Sequence, residues 1–166
     1  MALTDHKPRG VLRFLLRVPI WLYRARLGWL FGHRLLHLVH RGRRSGLRRE
    51  VVVETVRYDP SIPEAVVIAA WGPNPDWYRN LRAAPAVEVR VGSRRWPYPD
   101  HRFLEAAETS RILLAYRQAH PRAWRRIAPL LGFPADPADP RWPEVAATVR
   151  AVAFTPHRGA AGAGGS

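Results

Sequence analysis

The densest chemical feature of the sequence is a basic run, Arg41-Gly42-Arg43-Arg44-Ser45-Gly46-Leu47-Arg48-Arg49. Guanidinium forks match phosphate or carboxylate oxygens, the Ser45 hydroxyl adds a donor, and a glycine-rich turn exposes backbone N–H groups, so the run can form an anion nest. It is not a nucleotide P-loop, because no parallel strand leads into it and the Gly-Lys-Ser/Thr ending is missing. Taken alone, such a run also fits a solvated basic hairpin tip. A second feature spans Ala69 to Pro85, where Ala70, Trp71 and Gly72 end a strand and Pro75-Asp76-Trp77-Tyr78 opens a helix. Small residues and glycine let a planar ring lie against the backbone, and Trp77 and Tyr78 can wall such a ring or pack into the core.

Other chemistries are poorly served. The chain of 166 residues has no cysteine, which removes disulfides, thiolate metal sites and thiol nucleophiles. Its seven histidines are scattered. His33 and His37 are four apart but fall in a turn-to-strand region, so no ligand motif for a metal is present. Redox chemistry would therefore come from a bound organic cofactor.

Of the 27 basic residues only Lys7 is lysine, a skew that first reflects a GC-rich coding sequence. The net charge is +14, and it is uneven: residues 1–50 hold 12 basic and 2 acidic side chains (+10), residues 51–166 hold 15 and 11 (+4). An anionic partner near the N-terminal end is expected, whether a phosphorylated cofactor, a lipid surface or nucleic acid. No nucleic-acid recognition motif accompanies the charge. Arg13, Arg17, Arg24 and Arg26 interrupt the first apolar stretch, which argues against a signal peptide or a spanning helix and for a cytoplasmic location.

These residues must be positioned by a particular set of elements. Residues 1–10 read as a flexible lead-in, 11–157 as one domain, and 158–166 as a disordered Gly/Ala tail. Residues 11–27 read as an amphipathic helix kinked at Pro19, its arginines either solvated or resting peripherally on the inner face of a membrane. Strands are expected over 34–40, 50–58, 65–71, 87–91, 95–103 and 149–154, the fifth an edge strand because of its prolines. The basic run then joins the first two as a hairpin. Helices are expected from Asn74 or Asp76 through Ala83, over 105–119 and over 121–131, with a helical turn at 143–148. The pattern is mainly β with helices (α+β), an antiparallel six-stranded barrel with helices inserted before the last strand.

Together, Leu-x-x-Arg-Gly-Arg-Arg-Ser-Gly (38–46) and Trp-Gly-Pro-Asn-Pro-Asp-Trp-Tyr-Arg-Asn-Leu-Arg-Ala-Ala-Pro-Ala-Val-Glu-Val-Arg-Val-Gly (71–92) resemble the deazaflavin-dependent nitroreductase and quinone reductase family of actinobacteria and their relatives. The likeness covers roughly residues 10–155. It implies a split β-barrel that binds coenzyme F420, with Arg43, Arg44, Ser45, Gly46 and Arg49 on the phosphate-bearing tail. The deazaflavin ring would lie against Ala70, Trp71 and Gly72, and Trp77, Tyr78 and Asn80 at the helix start would support the ring site. The implied reaction is hydride transfer from reduced coenzyme F420 to an electron-poor acceptor such as a quinone, enone or nitro compound. Tyr116 could then donate a proton to the reduced acceptor or line its pocket. An FMN-using split-barrel reductase and a non-catalytic cofactor- or lipid-binding protein are the competing readings. A homodimer is expected by analogy with split barrels. Arg44 stands where the family commonly has lysine, and Trp71 and Asp76 replace smaller residues and a His-Pro step.

Overall fold

A computed structural model of the chain describes residues 32–69, 74–134, 136 and 138–157. The expected N-terminal helix at 11–27 and the tail at 158–166 lie outside these residues, as do Ala70, Trp71 and Gly72.

Seven strands form one antiparallel sheet: β1 (Leu35–Arg41), β2 (Arg48–Asp59), β3 (Glu64–Ile68), β4 (Glu88–Val91), β5 (Arg94–Pro97), β6 (Asp100–Phe103) and β7 (Ala151–Thr155). Among the described residues four helices accompany them: α1 (Asp76–Ala83), α2 (Ala106–Ala119), α3 (Pro121–Leu131) and α4 (Trp142–Thr148). The strand order is β5-β4-β1-β2-β3-β7-β6. β5 and β6 stand at opposite ends of that order, yet only Tyr98 and Pro99 separate them in the chain. Two residues reach about 10 Å, so the sheet must curl until its edges nearly meet. This is a split barrel, closed by the chain rather than by a ladder of hydrogen bonds.

The strand expected over 95–103 is therefore two strands, and the count is seven rather than six. The break falls at Tyr98, whose φ of 46° lies in the left-handed region, followed by Pro99, which has no N–H to give to a ladder. Both halves are edges, which suits Pro97 at the end of β5 and Pro99 in the break. β2 is long enough to serve two neighbours, pairing β1 through Glu54 and β3 from Thr55 onward. A register shift between Thr55 and Arg57 marks the corner where the barrel bends.

Alternation along the strands makes two cores. Ala65 and Val67 of β3 and Val152 and Phe154 of β7 face the barrel interior with Leu36, Leu38, Val89 and Trp96. Val66, Ile68, Ala151 and Ala153 face outward and are covered by Ile112 and Leu113 of α2, Trp124 of α3 and Trp142 of α4. β3 and β7 are thus buried on both faces, and the inserted helices fill the layer over them.

Candidate functional site

The chain between β1 and β2 folds into a tight loop held by its own hydrogen bonds. Gly42 N–H donates to the Leu47 carbonyl at 2.9 Å, Gly46 N–H donates to the Gly42 carbonyl at 2.7 Å, and Leu47 N–H donates to Ser45 Oγ at 3.3 Å. Gly46 has φ +65°, which glycine adopts at no steric cost. A Cβ at Gly42 would meet Ser45 Oγ at 2.7 Å. Arg41 Nη1 donates to the Gly46 carbonyl at 3.3 Å and braces the loop from below.

The backbone nest is narrower than the sequence implies. The amides of Gly42, Gly46 and Leu47 close the loop itself, and that of Arg43 points to α1. Among the described residues the Arg44 and Ser45 amides at the apex have no such partner, and the exposed guanidinium groups of Arg44 and Arg49 form no ion pair. The Ser45 oxygen accepts from Leu47, which leaves the hydroxyl proton for an oxygen outside the loop. The donor set is the two cationic forks of Arg44 and Arg49, one hydroxyl and two amides, chemistry that fits an oxyanion tail.

Asn80 joins the two sequence motifs. Its Oδ1 accepts from Arg43 N–H at 3.0 Å and from Arg43 Nη1 at 3.0 Å, and its Nδ2 meets His40 Nδ1 at 3.1 Å. Asp76 accepts from Arg43 Nη1 at 3.2 Å. Helix α1 is not capped by a side chain: Pro75 holds the N-cap position, and Asp76 faces the loop instead. Of the residues expected at the helix start, Asn80 is brought to the loop and turned toward the protein's own arginine. Trp77 and Tyr78 are buried in the barrel core, packed edge to face with each other at 5.9 Å and, for Tyr78, with Phe103 at 5.1 Å. They stiffen the helix start from behind.

Tyr116 lies elsewhere, at the far end of β2. It lines an open cleft of about 570 Å³ between β2 and α2, with Val56, Ile112 and Ala115 as apolar wall and Arg57, Tyr58, Glu108, Arg111 and His120 as polar lining. Its hydroxyl donates to Glu54 Oε1 at 2.5 Å. Burial pushes the phenol well above its ordinary pKa, and the Glu54 carboxylate adds to the rise. From Arg49 to Val56 the strand runs roughly 20 Å at ~3.3 Å per residue, so the anion loop and the cavity are separate stations on one strand.

Sequence reasoning missed Glu54, His40 and Arg111. A glutamate amid the β-branched run 51–56 was the available signal for the first, since a carboxylate inside a strand facing a helix needs a partner.

The described residues thus place an arginine-rich loop on the first hairpin of a split barrel and, separately, a cleft beside a tyrosine. The chain belongs to the F420H(2)-dependent quinone reductase family, whose family model matches residues 15–126. It is an oxidoreductase of that class, which reduces quinone-type acceptors with reduced coenzyme F420. Among solved structures it is similar to an F420-H2 dependent reductase (FDR-A) at 20% identity, covering 74% of this chain and 95% of that one with a TM-score of 0.49. A protein described as a domain-swapped dimer shares 18% identity over 82% and 98% of the two chains, TM-score 0.48. A pyridoxamine 5'-phosphate oxidase-related, FMN binding protein from Nostoc punctiforme shares 14% over 89% and 81%, TM-score 0.43. No curated protein gives a sequence match. Among the described residues no helix is long and apolar enough to cross a membrane.

Proposed function

We propose that the loop over 42–49 grips the phosphate-bearing tail of coenzyme F420 through Arg44, Arg49 and Ser45, with Arg43 holding the loop in shape. The supporting observation is the Asn80 carboxamide, which locks the loop to the helix that follows the expected ring site at Ala70, Trp71 and Gly72. Gly46 acts through its backbone conformation, and Trp77 and Tyr78 act by fixing α1.

When bound, the reduced deazaflavin supplies a hydride. The chain supplies binding, orientation and exclusion of water. A flat quinone-type acceptor suits the cavity beside Tyr116, where apolar walls receive its ring and Arg111 and His120 offer donors to its oxygens. Tyr116 stays protonated across the working pH range because burial and Glu54 both disfavour its phenolate. It lines the pocket and holds a proton at its rim. Enone and nitro acceptors fit the same walls.

FMN carries one phosphate and would use the same donors, so affinity decides between the cofactors. Fluorescence titration with oxidised deazaflavin coenzyme and, in parallel, with FMN at physiological salt is the test. Saturable binding of the deazaflavin alone is expected. Saturable binding of FMN alone would replace the cofactor, and binding of neither would leave a non-catalytic role. Lipid contact through residues 11–27 and a homodimer are readings for vesicle flotation and sedimentation, respectively.

A further inference from the structure

We infer that His40 and Asn80 are positioning residues that hold Arg43 through a directional hydrogen-bond chain, and that the chain forms only while His40 is uncharged with its proton on Nε2. The inference rests on the reading of the loop as an anion site.

The direction follows from the inventory of donors. Arginine has no acceptor, so both Arg43 contacts at 3.0 Å demand the oxygen of Asn80. The carboxamide nitrogen must then face His40, and it has only protons to offer. His40 Nδ1, 3.1 Å away, is therefore the acceptor. Protonation of the ring would set one donor against another. Flipping the Asn80 amide would satisfy the ring but turn N–H groups onto both Arg43 donors. His40 and Asn80 are both buried, so water does not readily replace the lost bond.

The groups around the ring are few. Arg49 stands opposite it in the β1–β2 register, Asp76 approaches from α1, and Arg43 follows in the loop. On the β4 side the nearest paired carboxylate is Glu88, which Arg90 and Arg95 already hold. Burial lowers the ring's pKa below the ordinary histidine value; a backbone hydrogen bond at Arg41 opposes the shift, the charge of Arg49 adds to it, and Asp76 opposes it. At neutral pH the chain is intact, and acid breaks it.

The sign is opposite to that of simple charge attraction. A proton on His40 adds positive charge, which by itself would tighten an anion on the loop. Loss of the Arg43 tether would loosen it.

The ligand-free protein gives the first test, by nitrogen NMR of the full chain from pH 7.5 to 5.0. His40 is expected to carry its proton on Nε2 at pH 7.5, with the Arg43 amide losing its exchange protection as His40 titrates. A proton on Nδ1 at pH 7.5, or an Arg43 amide indifferent to the titration, would overturn the inference. The second test compares oxidised deazaflavin affinity at the two pH values in the wild type and in His40→Asn, whose carboxamide oxygen takes the place of Nδ1 without titrating. Ligand ionisation is common to both and cancels. The dissociation constant is expected to rise on acidification by roughly ten-fold more in the wild type than in the variant, the scale of one lost hydrogen bond. Parallel curves would overturn the inference. If neither protein binds the coenzyme, the cofactor reading fails, and the NMR titration alone decides the chain.

Discussion

Tyr116 donates a 2.5 Å hydrogen bond to Glu54, tying helix α2 to strand β2 across 62 residues of sequence. Removing either group deletes the same bond, so the two effects must overlap. Tyr116→Phe and Glu54→Met, which leaves no acceptor, are each expected to lower stability by about 1–2 kcal/mol, and the double variant by clearly less than their sum. Urea unfolding of the four proteins measures the coupling. Strict additivity would mean that the bond contributes nothing.

The anion loop makes a sharper demand. Replacing Arg43, Arg44 and Arg49 together with alanine is expected to weaken deazaflavin binding by roughly 3 kcal/mol, the scale of a few charge-assisted bonds at exposed positions. Affinity in the wild type should also fall with rising salt. A triple variant that binds as tightly as the wild type would remove the loop from the cofactor site.

Gly42 and Ser45 are sterically linked. A methyl group at Gly42 meets the Ser45 oxygen at 2.7 Å, so Gly42→Ala must displace the hydroxyl from its bond to Leu47. A loss of about 1 kcal/mol is expected, reduced in the Gly42→Ala/Ser45→Ala pair where the clash is gone. Thermal melts of the four proteins test this. An equal penalty with and without the serine would contradict the loop geometry.

Stability should decline in mild acid. Burial is the leading cause that lowers the pKa of His37, His40 and His101, so the fold resists protons that the unfolded chain accepts below its ordinary value near 6.5. The unfolded state then binds more protons, and unfolding free energy falls with pH until the folded values are passed. The buried rings of His37 and His40 are expected to carry the larger part of that loss as the pH falls below about 6.5. Urea midpoints over pH 7.5 to 5.5 read it directly, and a flat profile would refute it.

The local architecture was legible because its signals are local. The β-branched run of β2, the glycines around the basic loop, Pro121 at the start of α3 and the helix opening at Trp77-Tyr78 each follow from residues within a few positions. The break at Tyr98 was not legible: tyrosine ordinarily avoids a positive φ, and the alternation of 95–103 runs through it. Tertiary closure imposes that turn. Asn80 was marked for its position in a motif, but its partner Arg43 lies 37 residues away, and no spacing rule predicts which side chain a carboxamide will face. Tyr116 stood out as a possible pocket residue, but its partner Glu54, 62 residues away, escaped for the same reason.

The place of β7 bears on how the protein is made. β7 lies between β3 and β6, with Val66 facing Ala153 on one side and Arg102 facing Ala153 on the other. As the chain leaves the ribosome, every other described strand precedes it, so β3 and β6 wait with unpaired backbone edges until Ala151–Thr155 arrives. Open edges are templates for pairing with another chain. The interval between synthesis of β6 and of β7, which α2, α3 and α4 fill, is therefore a period of exposure to aggregation, and a nascent chain arrested there carries a bare β3 edge and an unpaired β6.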